Sequence, residues 1–245
     1  MKSCCIGLFL MAATFSLRAT YPEELEAGPM LGYSDLREVI VWVQTAEPAQ
    51  VRVSYRPENG GQEKITEPIV TEQRSWRIAK LRITGLSAGT GYDYAIHING
   101  KKLTFDYPLR FQTQTFWQHR SDPPQIRFGI GSCLYVNDPP ADRPRTPYGA
   151  DHQILTAIDA ARPDFFIWMG DNVYYREPDF ISVDRLAYRS SHTRAHPLLQ
   201  PLLARTHHYA LWDDHDYGPN DSDRSYPLKA QSLALFEVFW GNPHT

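Results

Sequence analysis

The chain has 245 residues, with 42% hydrophobic, 22% charged and 13% aromatic side chains and a formal net charge of −3. Such a composition excludes collagen-like, coiled-coil and wholly disordered chains, and the weak acidity leaves no electrostatic footprint for nucleic acid or an anionic membrane surface. The length allows one large domain or two small ones, with enough chain in either case to bury a sizeable core.

The first element in chain order is a leader. Lys2 precedes an apolar run from Cys4 to Leu17 that has no acidic side chain and exits through Arg18-Ala19-Thr20. A short positive start, an apolar stretch of this length and a small-residue exit predict a secretory signal peptide over residues 1–19. The run is too short to span a bilayer as a mature helix, and it lacks a twin-arginine pair, so the expected route is the general secretory one, to the periplasm or the exterior. A buried or lipid-anchored N-terminal helix is the alternative. Once Cys4 and Cys5 leave with the leader, Cys133 is the sole cysteine. No internal disulfide framework is then possible, and that thiol is either inert in the core or chemically employed.

Residues 28–115 read as β structure. Short β-branched or alternating runs at 38–43, 51–55, 75–79, 81–83, 92–98 and 109–111 are separated by turn chemistry at Glu58-Asn59-Gly60-Gly61, Ser87-Ala88-Gly89-Thr90-Gly91 and Asn99-Gly100. Such spacing predicts a small β-sandwich, with Trp42 and Trp76 as core candidates and no catalytic cluster. The segment 116–124, ending in Pro123-Pro124, reads as a linker. The predicted organisation is a signal peptide (1–19), a sandwich domain (20–120) and a second region (125–245).

From Gln125 the period changes. Residues 126–131 predict a short buried strand ending in a tight turn; residues 149–162 carry apolar side chains at 154, 155, 158 and 161 and stop before Pro163, as a helix does. A second strand is expected at 164–169, a helix over 183–203 interrupted at Pro197, and a third strand at 208–212. Strand, helix, strand, helix, strand is the grammar of a parallel α/β sheet covered on both faces. The chemically notable residues all follow these strands: Gly131-Ser132-Cys133, Gly170-Asp171-Asn172-Val173-Tyr174 and Trp212-Asp213-Asp214-His215-Asp216. Open α/β sheets bind ligands at the carboxyl ends of their strands, so these three loops are expected to converge. Cys, Tyr, Asp and His around one point make a mixed soft and hard ligand set. Thiolate and phenolate suit a transition metal such as Fe(III), and carboxylates can bridge to a harder cation such as Ca²⁺. His215 would protonate a leaving oxygen or stabilise transition-state charge.

These three segments, together with Arg205-Thr206-His207-His208-Tyr209-Ala210 and Gly218-Pro219-Asn220-Asp221-Ser222-Asp223, resemble the signatures of the alkaline phosphatase D (PhoD-like) metallophosphoesterases. The resemblance implies an α/β fold in which a fibronectin-like β-sandwich precedes the first half of a metallophosphoesterase α/β/β/α sandwich. It implies hydrolysis of phosphate mono- or diesters by a metal-activated hydroxide outside the cytoplasm. It carries Cys133 onto the thiolate ligand of Fe(III), Asp171 onto the bridging carboxylate, Tyr174 onto the phenolate ligand, Asp214 onto a further metal ligand and His215 onto the catalytic histidine. Ca²⁺ or another divalent ion is the expected second metal, small phosphate esters are the expected partners, and Asn220, Arg176 and Arg194 are candidate substrate contacts. The family also uses histidines from a second half, and no such motif precedes Thr245, so the chain is expected to be C-terminally truncated.

Plainer readings accompany each residue. Cys133 could be a buried small hydrophobe or a nucleophile paired with His152 or His215. Gly170-Asp171-Asn172 could be a turn only, and the acids of 213–216 a solvated loop in which Asp213 merely orients its neighbours. Arg176, Arg189, Arg194 and His192 could decorate a helix surface, and His207 and His208 read as structural. For the whole chain, the rival functions are an inactive fragment of such an enzyme and a secreted β-sandwich binding module. Oligomeric state is not legible in the sequence.

Overall fold

The computed structural model describes residues 21–142, 147–149 and 151–243; the predicted signal peptide lies outside the described residues. In chain order the strands of the first region are β1 (Leu25–Ser34), β2 (Glu38–Thr45), β3 (Gln50–Pro57), β4 (Lys64–Ile65), β5 (Ile69–Val70), β6 (Ile78–Thr84), β7 (Gly91–Ile98), β8 (Lys101–Lys102) and β9 (Arg110–Gln112). The second region contributes β10 (Phe128–Gly131), α1 (Gln153–Ala161), β11 (Phe165–Met169), α2 (Val183–Arg194), α3 (Gln200–Arg205), β12 (His207–Leu211), α4 (Asp214–Tyr217) and α5 (Lys229–Phe239). The helices α4 and α5 have no counterpart in the sequence reading.

Two sheets face each other in the first region. One is built on β3 and β7, flanked by β4, β5, β8 and β9. The other, in the order β10-β11-β12-β1-β2-β6, runs without a break into the second region, joined by the parallel pairing of β1 with β12 at Leu31 and His207. Within it β10, β11 and β12 are parallel and in register, Ile130 beside Ile167 beside Tyr209. The shared sheet is therefore a middle layer. Val39, Val41 and Val43 point into the sandwich core with Val51, Val53, Ile96 and Phe111. Trp42, on the opposite face by strand alternation, packs with Leu186, Leu202, Phe239 and Trp240 of the helical layer and donates its indole N–H to Val238 O at 3.0 Å. Burial on both faces explains why β2 reads as one unbroken apolar run.

Three expectations change here. Trp42 and Trp76 belong to the helix-facing core, not to the interior of the sandwich. The segment Ser75–Arg77 is not strand: a short 3₁₀ turn at Gln73–Ser75 is followed by Trp76 and Arg77 at φ 51° and 58°, and β6 begins only at Ile78. The parallel strands are covered by helices on one face only. On the other, Phe128, Ile130, Met169 and Leu211 are 58%, 64%, 48% and 56% exposed, because the opposing sandwich sheet lies over β1, β2 and β6 and stops short of β10 to β12.

The covered face buries Phe166, Trp168 and Ala210 against α1, α2 and α3. Gly129 makes room for this packing, since a Cβ there would lie 2.5 Å from the Phe166 ring. Ser182 caps the start of α2 by accepting from Arg185 N at 3.3 Å, and α1 ends in the left-handed Arg162 before Pro163, so α2 starts and α1 stops where their sequences direct. At the heart of this core His208 is fully buried. Its Nδ1 accepts from the Trp168 indole N–H at 2.9 Å, and its Nε2 faces Leu202 O at 3.1 Å, which fixes the neutral tautomer with the proton on Nε2. Burial depresses its pKa to about 3, and burial depresses His207 as well. In the unfolded chain a histidine takes up a proton near pH 6.5, so the unfolded state binds more protons throughout the window from about 6.5 down to about 3. Stability should therefore fall as the pH drops through that window, by about 1 kcal/mol per pH unit for His208. Denaturant melts of wild type and His208→Gln from pH 7 to 4.5 check this; the variant, whose amide does not titrate, should show the flatter slope.

Candidate metal centre

Each of the three parallel strands is followed by a loop that leads toward one point. After β11, Gly170 adopts φ 95° with Asp213 so close that a Cβ would lie 2.6 Å from the Asp213 Cβ; only glycine lets these two loops touch. Asp171 and Cys133 follow their turns in the left-handed region at φ 52° and 62°. Leu134 N donates to Asp171 O at 3.0 Å, locking the first loop to the second. Asp213 caps α4 through a capping box closed by Asp216, so Asp214 and His215 sit in the first turn.

The predicted residues meet here. One carboxylate oxygen of Asp171, Oδ2, accepts from the Tyr174 hydroxyl at 2.9 Å and faces the Cys133 thiol at 3.6 Å. Ligand atoms of Asp171, Asp214 and His215 lie within 4.8 Å of one another. The His215 ring lies against the Tyr174 ring with centroids 4.3 Å apart. Asp214 is held from both sides, Oδ1 accepting from His215 N at 3.0 Å and Oδ2 from Asp221 N at 2.6 Å. Asn220 is exposed and donates to Asp221, one residue removed from the cluster. Cys133 is exposed, which removes the buried-hydrophobe reading. Burial, with the hydrogen bonds to Cys133 and Asp171, holds the Tyr174 phenol far above its ordinary pKa, so without a cation it remains a donor.

Two atoms test whether a metal fits. Asp171 Oδ1 and His215 Nδ1 are buried and have no hydrogen-bond partner, although buried polar groups are nearly always paired. In this cluster of two acids, a phenol and a thiol, the orphaned carboxylate oxygen is a donor that a cation satisfies, and the orphaned imidazole nitrogen lies beside it, open to a cation or to a substrate oxygen. The residues fit such a group: Cys133 and Tyr174 offer softer donors, and Asp171 and Asp214 offer harder carboxylates. The cavity of about 540 Å³ lies elsewhere, at the amino ends of the parallel strands among Asp164, Arg205 and Trp117. Converging donors, not volume, mark the site.

The arginines correct the sequence reading. Arg189 and Arg194 are buried rather than on a helix surface. Arg189 donates to Asp179 at 2.9 Å and to Asp142 at 3.3 Å, and Arg176 pairs with Asp142 at 3.5 Å. Arg194, proposed as a substrate contact, lies behind the metal cluster with its guanidinium 3.8 Å from the Trp240 ring. Two residues were missed. Asp216, not a solvated acid, is buried and accepts from Asn172 N at 2.9 Å and Asp213 N at 3.0 Å, tying two loops together; burial pushes its carboxyl up to about 7. The Asp213-x-x-Asp216 spacing, that of a capping box, was the available signal. Tyr135 supports Tyr174 with ring centroids 4.9 Å apart and donates to Asp142; nothing in the sequence marked it.

Comparison with known proteins bears on the fold. Over 89% of its length the chain superposes on the solved structure of PhoD with a TM-score of 0.71 at 14% identity, so it has a PhoD-like fold. It spans 46% of the PhoD chain. Residues 22–116 match a family described as a domain of unknown function (DUF7800). No curated protein sequence matches the chain. Smaller similarities are found to a fibronectin type III domain derived from human KIAA0970 protein (15% identity, TM-score 0.29, covering 42% of this chain and 82% of that one). A similar match is the sensor domain of the anti-sigma factor RsgI4 of Pseudobacteroides cellulosolvens (13%, TM-score 0.29, covering 37% and 93%). No helix among the described residues is long and apolar enough to cross a membrane.

Proposed function

We propose that this chain is an exported, metal-dependent phosphoesterase of the PhoD-like kind, with a fibronectin-like sandwich over residues 20–120 and the first half of a catalytic α/β/β/α sandwich over 125–245. The observation that carries this reading is the convergence of Asp171, Asp214 and His215 at the carboxyl ends of parallel strands, with Asp171 Oδ1 buried and unpartnered. Cys133, Asp171 and Tyr174 would hold Fe(III), and Asp171 and Asp214 a second, harder cation such as Ca²⁺. Bound there, the metals supply Lewis-acid polarisation of the phosphoryl group and a more acidic water.

The chain's own residues do the rest. As metal ligands, Cys133 and Tyr174 would bind deprotonated, so the thiol and phenol protons now turned toward Asp171 Oδ2 would pass to solvent. Asp221 N and His215 N keep the Asp214 carboxylate from rotating. His215, fixed against Tyr174, stands ready to give a proton to the departing ester oxygen. Small phosphate esters are the substrates, taken at the open end of the cluster.

The test is elemental analysis of the purified chain together with hydrolysis of bis(p-nitrophenyl) phosphate and p-nitrophenyl phosphate. Iron near stoichiometric, with metal-dependent turnover, is the expected result; trace metal and turnover no greater than in Asp171→Asn overturns the reading. His215→Asn separates proton transfer from metal binding. It should lower kcat roughly 10²–10⁴-fold, the span of general acid catalysis, while the metal content stays that of wild type. Loss of metal in this variant would make His215 a ligand instead.

A further inference from the structure

Behind the metal cluster lies a cavity of about 20 Å³ bordered by Asn172, Ser190, Arg194 and Asp216 on one side and Phe239 and Trp240 on the other. A buried water needs roughly 10–15 Å³ measured this way, so the space suits one molecule. Two of the bordering polar atoms are buried and unpartnered: the donor Arg194 Nε and the acceptor Asn172 Oδ1. Each side chain is anchored elsewhere by one hydrogen bond. Arg194 Nη2 donates to Phe239 O at 3.3 Å while its guanidinium rests on Trp240, and Asn172 Nδ2 donates to Leu211 O at 2.8 Å. Cavities lined by apolar atoms stay dry, whereas a polar one with an orphaned donor and an orphaned acceptor is where internal water resides.

We propose that one ordered water fills this cavity, accepting from Arg194 Nε and donating to Asn172 Oδ1, and that through it Arg194 is a positioning residue for the metal centre. Asn172 is the residue after Asp171, and its backbone N–H binds Asp216, which also receives Asp213 N. Asn172 and Asp216 thus join the loop carrying Asp171 to the turn carrying Asp214 and His215. The water extends that joint to Arg194 at the end of α2, the longest helix among the described residues. This inference rests on the metal-centre reading above.

The experiment is a high-resolution crystal structure of the full chain, with Mn²⁺ titrations by calorimetry on wild type, Arg194→Met and Arg194→Lys. Expected are a density peak within hydrogen-bond distance of Arg194 Nε and Asn172 Oδ1, and a loss of Mn²⁺ affinity of roughly 10–100-fold in Arg194→Met, as when outer partners of metal ligands are removed. Arg194→Lys, which keeps a donor at the cavity, should restore most of that affinity. Melting curves in EDTA separate this from bulk destabilisation. A purely structural Arg194 would lower the melting temperature of the Met variant and leave its Mn²⁺ affinity unchanged, which overturns the positioning role. An empty cavity beside an intact Mn²⁺ titration overturns the water. Wild type that binds no Mn²⁺ overturns the metal-centre reading and the positioning role with it, and the density still decides the water. Should Arg194→Met not fold, the density and the Lys variant decide.

Discussion

On the proposed function, Asp171→Asn should abolish metal binding at the strand-end cluster and lower phosphodiester hydrolysis by roughly 10³-fold or more, the several kcal/mol that metal electrostatics contribute to such a transition state. Asparagine is the right replacement for a backbone reason. Asp171 sits at φ 52°, and asparagine is among the few non-glycine residues that adopt the left-handed region readily; alanine would add strain to the loss of charge. The amide can still accept from Tyr174 through its oxygen, so the hydroxyl contact at 2.9 Å survives. What disappears is the negative charge that Cys133, Tyr174, Asp214 and His215 surround. Melting in EDTA should show the variant at least as stable as wild type, because Asp171, Asp214 and the buried Asp216 then repel one another less. In metal the order should reverse, since only wild type gains binding free energy on loading. Metal content by elemental analysis and the two melting curves check this; a variant that keeps its metal places the centre elsewhere.

The convergence of the three loops was legible because it depends on few residues with strong local rules. Glycines at the ends of β10 and β11, an apolar strand before each, and chemistry-bearing side chains immediately after are read directly from order in the chain, and parallel register does the rest. Trp42 was misplaced for a reason of topology. Its strand alternates correctly, but nothing local says that β2 serves two cores at once, because the pairing of β1 with β12 joins residues 176 positions apart, Leu31 and His207. The buried arginines were misread for the same reason. Arg189 and Arg194 look like exposed helix positions until Asp138, Asp142 and Asp179 arrive from two loops and Trp240 from the end of α5. Ser75–Arg77 alternates in polarity as a strand does, yet two consecutive left-handed residues turn the chain, a backbone choice that side-chain pattern does not encode.

Arg189→Met should cost about 3–5 kcal/mol of folding stability, the penalty for breaking a buried ion network by removing one partner. Arg189 is 1% exposed, and its fork spans three carboxylates: Asp179 at 2.9 Å, Asp142 at 3.3 Å and Asp138 at 4.0 Å. Methionine matches the length and leaves those acids buried with less countercharge; Arg185 still reaches Asp179 at 3.2 Å and Arg176 reaches Asp142 at 3.5 Å, which keeps the loss from growing further. Lysine should rescue little, since a single ammonium cannot serve Asp179 and Asp142 in the planar geometry that the guanidinium provides. Neutralising one acid as well, in Arg189→Met with Asp179→Asn, should recover part of the loss, and a double-mutant cycle from denaturant melts measures the coupling. The effect then reaches the site. Asp142 takes the Tyr135 hydroxyl, and the Tyr135 ring supports Tyr174, whose oxygen meets Asp171. An Arg189→Met chain that still folds should therefore bind metal more weakly in proportion to how far Tyr135 drifts. Unchanged stability would mean that Arg176 and Arg185 suffice for all three acids, and the long lever from α2 to Tyr174 would then carry no load.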